Sequence, residues 1–377
     1  MSARHLPAPE APHPAQRQAP SPATRRGARL TRQRPLQRRT WQGAALIASL
    51  ALTLLAATPT QAGWFDSDKP TELTLATWNI EWLMTPATHA ALLPSCSRTQ
   101  PRSADRAMPC TPGRMPPAQR TSDDFDALAR VAEQLARGTD KSPRADVVAM
   151  QEVDGPEAAA LVFRQGWQLD CFTRRAHPQK VGFAVRTGIP YRCNGDLTAL
   201  DIDGGTRPGA DITVWPGTPR AVRLLAVHLK SGCFAGALDR NFSPCQKLRR
   251  QVPVIEAWID ARVREGTAFA VMGDFNRQLE GDAPRDAGPD EAAPLAMFNA
   301  WSDNQPAGAV LVRASSVLPY VPCDQLDGHR GYIDDILIDA RLAERYPQRR
   351  AARLPFAPAD AGRQLSDHCP VLWSLRP

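Results

Sequence analysis

The chain is 377 residues long, 43% hydrophobic and 23% charged, more than a minimal domain needs and apolar enough to bury a real core. Its formal net charge of +7 is misleading: residues 1–62 hold nine Arg against one acid, Glu10, and so supply +8 and leave −1 for residues 63–377. That balance excludes a protein-wide basic field that draws in nucleic acid, and any such attraction has to come from a local patch.

The first stretch reads as a leader. Residues 1–42 are Arg- and Pro-rich and are expected to be disordered. An apolar run of 15 residues, Gly43 to Ala57, is followed by Thr60-Gln61-Ala62, small at both ends. This is the pattern of a secretory signal over 43–62 cleaved after Ala62, so the protein is expected to be secreted or periplasmic. The run is shorter than the about 20 residues a spanning helix needs; the alternative is a membrane anchor over 43–57. Arg38-Arg39 suggests a twin-arginine signal, which Thr40-Trp41-Gln42 continue poorly. All eight Cys lie beyond Ala62. An even count in an exported chain predicts disulfides. Proximity pairs Cys96 with Cys110, Cys171 with Cys193 and Cys233 with Cys245, leaving Cys323 and Cys369 unpaired. The plain alternative is several buried thiols, and no Cys-x-x-Cys spacing points to zinc.

The body, residues 70–377, reads as one domain of alternating strands and helices. Leu73–Trp78 alternates like a strand and ends in Asn79. Residues 84–122 are rich in Pro, Arg, Ser and Thr and predict a long loop. Arg98, Arg102, Arg106, Arg114 and Arg120 against one acid, Asp105, make that loop a candidate phosphate-attracting patch or a merely solvated segment. Ser122 or Asp123 is placed to cap a helix whose apolar positions are Phe125, Leu128, Val131, Ala132 and Leu135, with Gly138 ending it. Ala145–Met150 is a second apolar strand, ending in Gln151-Glu152. A carboxylate at the mouth of a buried strand is a candidate ligand for Mg²⁺, Mn²⁺ or Ca²⁺, which take oxygen donors; alone it is as readily a surface Glu.

Trp167–Phe172 and Val181–Val185 look like paired strands, and Arg207 enters another that runs to Val214. Val222–His228 is a strong strand with Lys230-Ser231 just beyond it. His228 is a catalytic candidate, although a lone strand His is more often a satisfied core residue. Leu248–Val263 has helical spacing of Val252, Ile255, Trp258 and Ile259. Phe269–Met272 then leads into Gly273-Asp274-Phe275-Asn276. Residues two apart on an extended backbone share a side, so Asp274 and Asn276 can face one pocket with Phe275 turned to the core. A carboxylate beside an amide suits activation and orientation of a water; the bland reading is an ordinary turn. Tyr332–Ile338 is a strand whose Asp334 and Asp335 point to opposite faces, and burying both demands a partner for at least one. Ser366-Asp367-His368 precedes the last strand, so His368 can point back across a strand-end pocket.

Asn79, Glu152, His228, Asp274, Asn276, Asp334 and His368 all fall at strand termini. Together they supply carboxylates for a divalent cation, a water-activating Asp, orienting amides and two His. A His paired with a buried acid stays protonated or in one tautomer, which suits stabilising charge on a reacting phosphoryl group.

In their order, Thr77-Trp78-Asn79-Ile80, Gln151-Glu152, Val227-His228-Leu229-Lys230-Ser231, Gly273-Asp274-Phe275-Asn276, Ile333-Asp334 and Ser366-Asp367-His368 resemble the endonuclease/exonuclease/phosphatase superfamily. That group holds pancreatic-type deoxyribonucleases, abasic-site endonucleases, sphingomyelinases and inositol-phosphate phosphatases. The resemblance spans residues 73–377. It implies an α/β fold, a two-sheet α/β sandwich flanked by helices, and metal-dependent phosphoester hydrolysis with Mg²⁺, or Mn²⁺ or Ca²⁺. It implies that Glu152 binds the metal with Asn79 close by and Asp367 as a further ligand or supporting group. Asp274 would orient or deprotonate the water beside Asn276, and His368 would contact the phosphate with Asp334 as its partner. His228 would be a second phosphate-side His, and Arg207 a phosphate-contacting Arg. Where many relatives have Ile-Asp-Tyr or Tyr-Asp-Arg this chain has Ile333-Asp334-Asp335, so Asp335 could replace Asp334. The expectation is a monomeric exported endonuclease acting on DNA or RNA. The alternative is an exported phosphatase or sphingomyelinase-like lipid phosphodiesterase, for which an exposed apolar hairpin would be needed, and with aromatics at 6% no clear one is visible.

Overall fold

A computed structural model describes residues 72–96, 119–139, 142–279, 296–323, 331–363 and 365–377, all within one compact unit, Gly63–Pro377. The leader, and with it the signal and anchor readings, lies outside the described residues. The first sheet is built from β1 (Leu73–Leu83), β2 (Val147–Val153), β3 (Trp167–Phe172), β4 (Lys180–Arg186), β11 (Gln348–Arg353) and β12 (Val371–Arg376), in the order β11-β12-β1-β2-β4-β3. The second holds β5 (Tyr191–Leu197), β6 (Gly209–Val214), β7 (Val222–His228), β8 (Ala268–Asp274), β9 (Leu311–Arg313) and β10 (Asp334–Asp339), in the order β5-β6-β7-β8-β10-β9. Each sheet has one parallel pair at its centre, β1 with β2 and β7 with β8, flanked by antiparallel neighbours.

The central strands read as continuous apolar runs because both of their faces are covered. Between the sheets, Leu73, Leu75, Val147 and Phe183 pack with Ile212, Leu224, Met272, Ile336 and Trp373. On the outer face of the first sheet, Ala76, Trp78, Val148 and Met150 meet α2 (Ser122–Arg137) through Phe125, Leu128, Val131 and Leu135. On the outer face of the second, Leu225, Val227, Phe269 and Val271 meet α4 (Ser243–Glu265) through Leu248, Val252, Ile255 and Ile259. This is the two-sheet sandwich with outer helices that the sequence predicts.

The differences have physical causes. Thr121, not Ser122 or Asp123, caps α2, in a capping box that Asp124 completes from the third helical position. Part of the predicted 84–122 loop is helical, α1 (Pro86–Cys96); a Pro at the start is tolerated because its missing N–H has no partner there. Residues 97–118 lie outside the described set, so neither Cys96–Cys110 nor four of the loop's Arg residues can be placed. The Cys171–Cys193 and Cys233–Cys245 pairings are present as predicted. Cys323 and Cys369, expected to be unpaired, are joined across 46 residues, because the fold and not proximity brings them together. β5 and β11 escape sequence reading because they are edge strands without apolar alternation. β11, Gln-Arg-Arg-Ala-Ala-Arg, carries the basic side chains that keep an edge from pairing with another chain.

Candidate active site

The carboxyl ends of β1, β2, β7 and β8 and the amino end of β10 meet at one mouth between the sheets. In register, Asp274 lies opposite His228 on one side and Asp334 on the other. Asn79 and Glu152 reach across from the first sheet. The Asn79 Nδ2 donates to Asp274 Oδ2 at 3.1 Å, and Glu152 Oε1 lies 3.7 Å from His228 Nε2.

Gly273 is required where β8 meets β7. It has φ +148°, and a Cβ there would sit 2.0 Å from the Val227 carbonyl oxygen. The close approach delivers Asp274 into the mouth and turns Phe275 into the core, where it is fully buried. Asp274 is the hub. Its Oδ1 accepts the Asn276 N–H at 2.7 Å and its Oδ2 accepts Asn276 Nδ2 at 3.0 Å, while His228 Nε2 lies 3.3 Å away. Burial pushes the Asp274 carboxyl up to about 7; His368 opposes the rise and Asp334 adds to it.

His368 and Asp334 form a second unit. The His368 Nδ1 is 2.7 Å from Asp334 Oδ2, and its Nε2 is 4.0 Å from Asp274 Oδ2. Burial by itself would lower the imidazole pKa, but Asp334 reverses this and holds it well above the usual value. Asp335 points the other way, accepting from Ser315 N–H and Oγ, so Asp334 is the partner. His228 is the opposite case: burial and then Arg207 depress it well below the ordinary value, so it is a neutral imidazole. Its Nδ1 is buried without a hydrogen-bond partner among the described residues.

The turn carrying His368 is stitched to β1. Ser366 Oγ donates to the Asn79 carbonyl at 2.8 Å, His368 N–H donates to Ser366 Oγ, and Trp78 Nε1 donates to the His368 carbonyl. Asp367 is exposed, with Oδ1 3.7 Å from His368 Nε2. Arg207 is 7% exposed; it donates to Gln179 Oε1 at 2.6 Å and to the Leu229 carbonyl. Its charge opposes the rise that burial imposes on Glu152.

Two residues at the mouth are absent from the strand-end set that the sequence singles out. Glu81 accepts the Asp367 N–H at 3.2 Å, and burial, then Asp367, push its carboxyl up to about 7. It stands two residues beyond Asn79, the same spacing that singles out Asp274 and Asn276, so the signal was available. Arg120 had no such signal. Its guanidinium donates to the carbonyls of Ile80, Glu81, Trp82 and Leu365, clamping the end of β1 to the turn before His368. The clamp holds unusual backbone at Glu81 and Trp82, with φ of 40° and 52°; Glu152 and Asn276, elsewhere at the mouth, have φ of 59° and 52°. Left-handed conformations cost non-glycine residues on the order of 1–3 kcal/mol each and persist where the surroundings enforce them.

Residues 76–368 match the model of the Endonuclease/Exonuclease/phosphatase family. The chain belongs to that family, whose members are hydrolases of phosphoester bonds. Among solved structures it is similar to truncated TDP2 of Caenorhabditis elegans, at 13% identity and a TM-score of 0.47 over 81% of this chain and 98% of that one. It is also similar to the 3'-5' exonuclease NExo of Neisseria meningitidis (17%, TM-score 0.46, 81% and 100% covered). An AP endonuclease of Archaeoglobus fulgidus gives 16% and a TM-score of 0.47, with 80% and 98% covered. A comparison with curated proteins finds no match.

Proposed function

We propose that the protein is an exported, divalent-metal-dependent endonuclease that hydrolyses DNA or RNA. The observation that carries the chemistry is the separation of two acid–imidazole pairs at one mouth: Asp274 beside His228, whose pKa burial depresses, and Asp334 beside His368, whose pKa Asp334 raises.

The residues fit a hard cation. Asp274, Asp334 and His368 offer ligand atoms within 4.8 Å of one another. His368, however, is held protonated, and an imidazolium has no lone pair to give. Glu152 with Asn79 and Asp367 is the set that would hold the ion, oxygen donors of the kind Mg²⁺, Mn²⁺ and Ca²⁺ take. The bound ion supplies Lewis-acid polarisation of the phosphoryl oxygens.

The chain's own groups do the rest. Asp274, with a pKa of about 7, is matched to accept a proton from water near neutral pH. Asn276 and Asn79 fix its carboxylate and orient the water. His368, fixed by Asp334, places a positive donor where charge grows on the phosphoryl oxygens. His228 accepts or donates at the far side of Asp274, and Arg207 steadies Glu152.

The experiment is a parallel assay of supercoiled plasmid, single-stranded RNA, sphingomyelin and an aryl phosphodiester with Mg²⁺ or Mn²⁺. Controls are EDTA, Asp274→Ala and His368→Ala. Nucleic-acid cleavage abolished by all three controls is the expected result. Release from sphingomyelin without nucleic-acid cleavage overturns the substrate assignment and leaves the site intact.

A further inference from the structure

Five large hydrophobic side chains stand exposed among the described residues, and the two aromatic ones, Phe234 at 39% and Phe242 at 46%, share one loop. That loop is closed by Cys233–Cys245 and follows His228 by a few residues. It is tied to the catalytic turn. Arg277 donates to the carbonyls of Cys233 and Gly236, at 3.1 and 2.5 Å, and Gln278 N–H donates to the Phe234 carbonyl at 2.9 Å. Arg277 and Gln278 come directly after Asn276. The Arg240 guanidinium lies 5.4 Å from the centre of the Phe242 ring and also contacts Cys245.

The loop itself is neutral, Arg240 against Asp239. Cations flank it: Lys230 precedes it, and Lys247, Arg249 and Arg250 follow on α4, with Arg250 paired to Asp203, in a body whose overall charge is close to zero. Exposed rings flanked by cations beside a phosphoester site have a specific use. Aromatic faces stack on nucleobases with little regard to sequence, while cations track the backbone. Base faces are accessible only in single strands or at ends. A bilayer-inserting loop fits less well, because Asp239, Arg240 and Asn241 stand exposed between the two rings and would have to be desolvated.

We propose that the Cys233–Cys245 loop is a stacking ledge for bases flanking the cleaved phosphate of a single-stranded nucleic acid, with Phe234 and Phe242 as the ring faces. This rests on the nuclease reading and adds the substrate's form.

The test compares the full chain with Phe234→Ala/Phe242→Ala and with Phe234→Trp/Phe242→Trp. The substrates are single-stranded oligonucleotides with natural bases or with base-less spacers around the scissile position, and binding is also read by fluorescence anisotropy in EDTA. The Ala variant should raise KM and weaken binding for the base-bearing strand by roughly tenfold or more, so that its preference over the spacer strand collapses, and the Trp variant should restore it. Equal effects on both strands, or none, overturn the ledge. So does Phe-dependent sedimentation with phosphatidylcholine/phosphatidylserine vesicles and no base dependence. If the wild type cuts neither strand nor supercoiled plasmid, the nuclease reading falls, while base-dependent binding lost in the Ala variant still supports the ledge; plasmid cleavage with no base-dependent binding of single strands overturns the ledge alone.

Discussion

The two halves of the mouth are built differently. On the second sheet, Asp274 is fixed by two amides and an imidazole, and Asp334 by His368, so each group has its partner before a substrate arrives. On the first sheet, Glu81, Glu152 and Asp367 crowd together: Asp367 and Glu152 raise the charge cost of Glu81, and Asp367 that of Glu152, with Glu81 and Glu152 on left-handed backbone and Arg120 bonded to the Glu81 carbonyl. On the proposed function, the contrast assigns one half to proton transfer and makes the other an acid-rich pocket suited to a cation.

The largest expected effect that sharpens this contrast is on the catalytic half. Asp334→Asn should cut kcat by about 10²–10³ with little change in half-saturating metal, since it unpairs His368 without touching Glu152. A mainly metal-side defect, read by Mn²⁺ titration calorimetry, would break the division. Next, Arg120→Ala should destabilise the fold by about 2–4 kcal/mol in chemical denaturation, because one cation satisfies four carbonyls. Arg120→Lys should recover only part of this, a point charge being unable to span them. A loss under about 0.5 kcal/mol would remove the clamp from the account.

A pH effect comes third. Asp274 and Glu81 have folded pKa values near 7, above those of the unfolded chain, so the folded state holds the extra protons. Their stability contribution is full below about pH 4 and is lost as pH rises through about 7. His368, also raised, adds loss above about 6.5, whereas the depressed His228 adds stability as pH rises only up to about 6.5. In EDTA the melting temperature should therefore fall between pH 5 and 7.5, and saturating Mg²⁺ should flatten the slope; an unchanged slope would argue against ion binding by these acids. The smallest effect is Glu81→Gln, which should weaken Mn²⁺ binding by about tenfold, a typical cost for losing an outer supporting group, with kcat at saturating metal nearly intact.

Much of this was legible in the sequence because strand ends announce themselves. Apolar runs such as Val147–Met150 and Phe269–Met272 stop at polar residues, and parity separates Asp274 and Asn276 from Phe275. Parity also placed Asp334 and Asp335 on opposite faces, but only the fold showed that Asp334 meets His368. What stayed hidden depends on long-range contact. Arg120 sat in a stretch that read as a phosphate-attracting patch or a solvated loop, and its partners are carbonyls, which leave no pattern in sequence. Arg207 read as a phosphate-contacting Arg, and the fold adds that it is buried beside Glu152. The Cys323–Cys369 bridge and the ring-bearing Cys233–Cys245 ledge likewise depend on which loops the sheets bring to the mouth.

The central claim is that Asp274 activates the attacking water. Its most direct test is the pH dependence of kcat/KM for phosphodiester cleavage at saturating Mg²⁺, in wild type and in Asp274→Asn. The account predicts a rate that climbs with pH to a plateau in the wild type, and in the variant a loss of about 10²–10⁴ with that limb gone. A variant retaining a tenth or more of the activity, with the same pH profile, would contradict it.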